Sequence, residues 1–142
     1  MMRCLLKNAT IVNSNGNRVP VHIVTEDRKI IKISTEPLDI PAMEYDLTGY
    51  TLMPGFIHTH VHLMDCFDGF NNEKLKKWLM SGITYLRDQG ILSRHNASDA
   101  VAWREDIKKS CMYPSLSVCG KFISAVNGYG GVAPMGITNE IE

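Results

Sequence analysis

Three of the five histidines in this 142-residue chain fall within five positions, in the run Pro54-Gly55-Phe56-Ile57-His58-Thr59-His60-Val61-His62-Leu63. Side chains two apart share one face of a strand, so with this spacing His58, His60 and His62 can all point the same way, and His60 and His62 are expected to. Imidazoles so placed on one rigid strand can bind a single borderline metal such as Zn²⁺ through nitrogen. Two or three ligands fall short of a complete centre, because a catalytic zinc site uses three protein ligands plus an open position and a structural site uses four. His-x-His equally describes a surface strand with solvated imidazoles, and the pattern alone leaves both readings open. The Pro54-Gly55 break before the run, and its place between two regions of different rhythm, favour the metal.

The other chemistry-bearing residues say less. Arg87-Asp88 closes an apolar run and reads as an internal ion pair or a substrate-facing pair, the structural role being favoured. Gly128 to Gly131 is glycine-rich without the spacing of a phosphate-binding loop. His22 and His95 are isolated and read as surface residues. Cys66 follows the histidine run by four positions and is a weak additional candidate ligand. Trp78 and Trp103 fall on helical stripes, where core packing is the expected role. The four cysteines, Cys4, Cys66, Cys111 and Cys119, form no Cys-x-x-Cys pair and are expected to be reduced and mostly buried.

The elements that must carry the histidines change character near residue 55. Before it, Cys4–Val12, Val19–Thr25 and Lys29–Ser34 read as strands, separated by the Asn13–Asn17 and Thr25–Arg28 turns. Met43–Leu47 and Tyr50–Met53 are short strands around Thr48-Gly49. No helical period appears in this part. After it, strands at 56–63, 83–87 and 116–124 alternate with two helices. The first is capped by Asn71 or Asn72 and carries Leu75, Trp78 and Leu79 on one face. The second is capped by Ser98, with Ala100, Trp103, Ile107 and Cys111 as its stripe and Pro114 as its stop. This alternation predicts parallel βαβ units. Three parallel strands with two helices leave a sheet with open edges, so a part of a longer protein is expected.

Fifteen basic and fifteen acidic residues cancel, which argues against a polycation working on nucleic acid or an anionic membrane. With 44% hydrophobic and 21% charged residues the composition is globular rather than disordered. The longest apolar stretch is well short of the roughly 18 to 20 residues of a membrane span. Lys7 interrupts what could otherwise be a signal-peptide core, so a cytoplasmic protein is expected.

Leu47-Thr48-Gly49-Tyr50-Thr51-Leu52-Met53-Pro54-Gly55-Phe56-Ile57-His58-Thr59-His60-Val61-His62-Leu63 resembles the first-strand signature of the amidohydrolase superfamily. There, an acidic-Leu/Ala-x-Gly-x-x-x-x-Pro-Gly-Phe/Leu-Ile-Asp-x-His-x-His run leads into a metal-dependent (β/α)₈ barrel. Upstream, Leu6–Val12 is similar to the family's opening strand, and Val21–Val24 with Ile30–Ile33 to its next hairpin. Downstream, Ser81-Gly82-Ile83-Thr84-Tyr85-Leu86-Arg87-Asp88 resembles the second barrel strand of dipeptidase and imidazolonepropionase-like members, and Ser117–Ser124 their third strand. Two positions depart from the pattern. His58 stands where the family usually has Asp, as a hydrogen-bond donor, an extra ligand or a tolerated replacement. Tyr129 stands where prolidase-like members carry the histidine of Gly-Gly-His-Gly.

The resemblance implies an α/β fold with an all-β N-terminal part, a partial β-sandwich leading into the first three βα units of a TIM barrel. Residues 1–55 would belong to the sandwich-like domain and 56–142 to the start of the barrel. It implies His60 and His62 as ligands of Zn²⁺ or another divalent ion, in a mono- or binuclear centre. The reaction implied is hydrolysis of a C–N bond in a small amide, cyclic amide or dipeptide. A lysine or glutamate after the fourth strand, histidines after the fifth and sixth and an aspartate after the eighth would complete the site, and none is among these residues. The competing expectations are an inert folded fragment that self-associates through its sheet edges, and a small protein using the three histidines as a metal clip.

Overall fold

The computed structural model of the protein describes residues 2–63, 70–90, 96–121, 123–125 and 135–137. It is a mixed α/β fold dominated by strands, in two compact units, Met1–Pro54 and Gly55–Glu142.

The first unit is one sheet. Strands β1 (Arg3–Val12), β2 (Arg18–Glu26), β3 (Lys29–Ser34), β4 (Met43–Asp46) and β5 (Thr51–Leu52) assemble in the order β3-β2-β1-β4, with β5 also pairing β1. β1–β2 and β2–β3 are antiparallel hairpins, whereas β4 and β5 run parallel to β1. The β2–β3 turn places both Asp27 and Arg28 at positive φ, the mirror-image turn whose twist suits adjoining strands. In the β1–β2 loop the Asn13 side chain accepts the Asn15 and Asn17 amides, both at 3.0 Å. Ala9, Val21 and Ile23 form the buried centre, with Leu6, Ile11, Val19, Leu47 and Leu52 packed around it.

The second unit is built on β6 (Phe56–Val61), α1 (Asn72–Met80), β7 (Ile83–Asp88), α2 (Ala97–Ile107) and β8 (Ser115–Ser117). The three strands are parallel in the order β6-β7-β8, joined through the two helices. Asn71 caps α1, its side-chain oxygen accepting the Lys74 amide at 3.0 Å. Asn72, the other expected cap, instead accepts the Trp103 indole N–H at 2.6 Å and so ties α1 to α2. One face of the helices buries Leu75, Ala100, Trp103 and Ile107 against Val61, Leu63, Leu86 and Leu116, with Trp78 alongside. Both tryptophans therefore serve packing.

Three local expectations are corrected. Asn96, not Ser98, caps α2, because Asp99 lies three residues on and its carboxylate accepts the Asn96 amide at 3.4 Å. The helix closes at Ile107, where Lys109 and Ser110 donate back three residues to Asp106 and Ile107 and tighten the last turn, leaving Cys111 off the stripe. The expected strand at 116–124 is divided. β8 stops before Gly120, a residue that weakens strands, and β9 (Ile123–Ala125) pairs in parallel with β10 (Met135–Ile137) instead. Cys4, Cys111 and Cys119 are free thiols but less buried than expected, Cys111 being exposed and the other two half-buried.

Candidate metal centre

The register of β6 on β7 decides where the histidines go. His58 pairs with Leu86 and Val61 with Asp88, so Thr59 and His60 together oppose the single residue Arg87. That extra residue is a β-bulge, and a bulge reverses the in–out alternation beyond it. His58 shares the side of its partner Leu86, which is fully buried under the helices. Its ring meets Trp78 of α1 edge to face, with centroids 5.3 Å apart at 86°. Val61 and Leu63, on the far side of the bulge, are buried in the same helix-side cluster. His60 and His62 alternate with them and thus occupy the opposite face, His60 exposed and His62 half-buried. His60 and His62 share a side as expected, but the bulge separates His58 from them, so the three do not all point one way.

His60 and His62 converge. Their Nε2 atoms are 3.3 Å apart, and the rings stand edge to face with centroids 5.2 Å apart. Two nitrogens each about 2.0–2.1 Å from one tetrahedral Zn²⁺ would be separated by about 3.3 Å. The same separation accommodates one proton in an N–H···N contact, so the pair is arranged to share a single small electrophile. The donors are imidazoles, which suit a borderline ion. On geometry and donor chemistry the two residues fit such an ion. Among the described residues they are joined by no further His, Cys, Asp or Glu that would make a group of three. Cys66, His95 and Tyr129 lie outside the described residues.

The framework around the pair uses residues that motif spacing did not single out. The Thr59 carbonyl, within the bulge, accepts the Gln89 side-chain amide at 2.9 Å, while the Gln89 backbone amide donates to Val61 O at 2.8 Å. His62 Nδ1 is 3.5 Å from the Gly90 carbonyl. Asp88, fully buried, accepts the Leu63 amide through Oδ1 at 2.8 Å and the Gly90 amide through Oδ2 at 3.3 Å. Arg87 is exposed while Asp88 is buried, and these bonds to Asp88 come from backbone amides rather than from the neighbouring guanidinium. A buried acid at a strand end, followed two residues later by glycine, was the available signal. His22, on β2 opposite the Lys7-Asn8 bulge of β1, is half-buried, with Nδ1 shielded from solvent and without a hydrogen-bond partner.

No helix among the described residues is long and apolar enough to cross a membrane. No family model matches the chain. An imidazolonepropionase from Porphyromonas gingivalis is 33% identical over 95 residues, which is 61% of this chain and 21% of that protein. A prolidase solved with N-methylphosphonate-L-proline superposes with a TM-score of 0.74 at 24% identity, over 99% of this chain and 37% of its own. The L-hydantoinase of Arthrobacter aurescens gives 0.67 at 21% identity, over 92% of this chain and 29% of its own. The chain therefore spans about a fifth of the curated relative and about a third of these solved structures. In sequence the chain is thus similar to part of an imidazolonepropionase, and in fold to part of solved prolidases and an amidohydrolase.

Proposed function

We propose that this chain is the opening part of a metal-dependent hydrolase acting on carbon–nitrogen bonds, with His60 and His62 as its contribution to the metal centre. The observation that carries the reading is the 3.3 Å approach of the two Nε2 atoms at the end of a parallel strand. In this reading residues 1–55 form part of a sandwich-like domain, and 56–142 begin a (β/α)₈ barrel whose active centre gathers at the C-terminal ends of its strands. Zn²⁺ or another divalent ion would be held by the two imidazoles in a mono- or binuclear centre. The chemistry such an ion supplies is Lewis acidity, which brings water ionisation near neutral pH and polarises a carbonyl. The chain's own part is to present two neutral imidazoles from a bulged strand whose freed carbonyl Gln89 holds. Support for a small amide, cyclic amide or dipeptide substrate comes from the prolidase and hydantoinase likenesses. A cytoplasmic setting belongs to the same proposal.

Two ligands do not complete a site, so the 142 residues alone should bind Zn²⁺ weakly and hydrolyse nothing at an enzyme-like rate. Calorimetric titration of the wild type, His60→Ala and His62→Ala tests this, together with a screen on dipeptides and hydantoins. Weak binding lost in either variant supports the reading, and binding unchanged in both sinks it. Nanomolar affinity or metal-dependent turnover would mean that these residues, or a second copy of the chain, supply a full ligand set.

A further inference from the structure

An ionised carboxylate is costly to bury unless its oxygens are satisfied, and Asp88 is fully buried with both oxygens engaged by backbone amides. The choice of amides is informative. Leu63 directly follows His62 in the chain. Gly90 carries the carbonyl that faces His62 Nδ1. One carboxylate therefore grips the peptide that follows His62 and the peptide that enters Gly90, the residue whose carbonyl meets the imidazole's far nitrogen. Gly90 has φ 131°, a conformation that disfavours residues with a side chain and that presents its amide to Asp88 and its carbonyl to His62.

We infer that Asp88 is a positioning residue for His62, acting through Leu63 and Gly90 rather than by touching substrate or metal. A carbonyl can only accept, so a hydrogen bond across the 3.5 Å contact with Gly90 O places the ring proton on Nδ1 and leaves the Nε2 lone pair directed at His60. A ligating histidine is oriented and made more basic by such a partner on its other nitrogen. Here the partner is a main-chain carbonyl, and Asp88 anchors the amide of the residue that carries it. The inference rests on the proposed metal role of His60 and His62, but its central claim, the tautomer of His62, holds without metal.

The tautomer is read directly by long-range ¹H–¹⁵N spectra of the metal-free protein at mildly alkaline pH. The wild type should show His62 protonated at Nδ1, and a mainly Nε2-protonated His62 would overturn the inference before any variant is made. In Asp88→Asn one of the two amides loses its acceptor, and His62 should become a mixture of tautomers. Its Zn²⁺ affinity, followed from imidazole shifts well below the unfolding temperature, should fall by about tenfold. Gly90→Ala, which strains the residue that links Asp88 to His62 while leaving the carboxylate itself in place, should reproduce both effects. If Asp88→Asn lowers only the melting temperature, with tautomer and affinity unchanged, the carboxylate merely stabilises the fold and the positioning role fails. If the wild type shows the Nδ1–H tautomer but no Zn²⁺ binding that depends on His60 and His62, the metal reading fails and the positioning of His62 by Asp88 stands.

Discussion

The ring of His58 meets that of Trp78 edge to face at 5.3 Å, although His58 lies two residues from His60 in a strand. Uninterrupted alternation would have put both on one side. The bulge at Thr59-His60 sends one histidine to packing and leaves two to converge. His58→Phe should accordingly keep the edge-to-face contact and leave Zn²⁺ affinity within about twofold of wild type, while His60→Ala removes measurable binding. A large loss of affinity in His58→Phe, in isothermal titration, would restore His58 as a ligand.

Gln89 holds the bulge by donating to the Thr59 carbonyl at 2.9 Å. Gln89→Ala should cost about 0.5–1.5 kcal/mol of stability in urea unfolding, the usual net worth of one hydrogen bond. It should also broaden the His60 ring resonances, since the peptide preceding that residue loses its tether. Sharp, unshifted His60 signals in the variant would mean that the bulge is held by the β6–β7 ladder alone.

A side chain at position 55 has nowhere to go. A Cβ built on Gly55 would overlap the Thr84 side chain, with Thr84 Cβ at 2.8 Å. Gly55→Ala should destabilise the second unit by about 1–3 kcal/mol, and adding Thr84→Ala should recover part of that loss. Strictly additive effects in the double-mutant cycle would rule out direct contact as the cause.

Acid should weaken the first unit through Asp46. The Thr48 hydroxyl donates to its carboxylate at 2.7 Å, the Asn8 side-chain amide at 3.0 Å and the Thr48 amide at 3.0 Å. These bonds, the Thr48 hydroxyl first among them, hold the carboxyl below its ordinary range. A group whose pKa is lower folded than unfolded stabilises the fold above its unfolded value. That stabilisation is lost as pH falls through the folded value, so the window lies at and below the ordinary carboxylate range. Thr48→Val should raise the Asp46 pKa in a ¹³C carboxyl titration and reduce the acid resistance of the sheet. An unmoved titration midpoint would refute the assignment.

Local chemistry in the sequence determined a good deal of this protein. The Asn71 cap, the turn at Asp27-Arg28, the helical stripes of Leu75 and of Trp103, and the shift from hairpins to alternating strands and helices are short-range preferences, readable from neighbours in the chain. The pairing of His60 with His62 was legible for the same reason, since strand period is a local property. The fate of His58 was not, because a bulge exists only in the register between β6 and β7, and nothing in Phe56–Val61 alone says where a residue will be skipped. Nor could the sequence show that β8 would end at Ser117 while β9 pairs with β10, a competition between partners distant in the chain. The role of Asp88 was likewise decided in three dimensions. Its carboxylate is fully buried, and burial left it to be satisfied by the amide beside His62, 25 residues away in sequence, and the amide of Gly90.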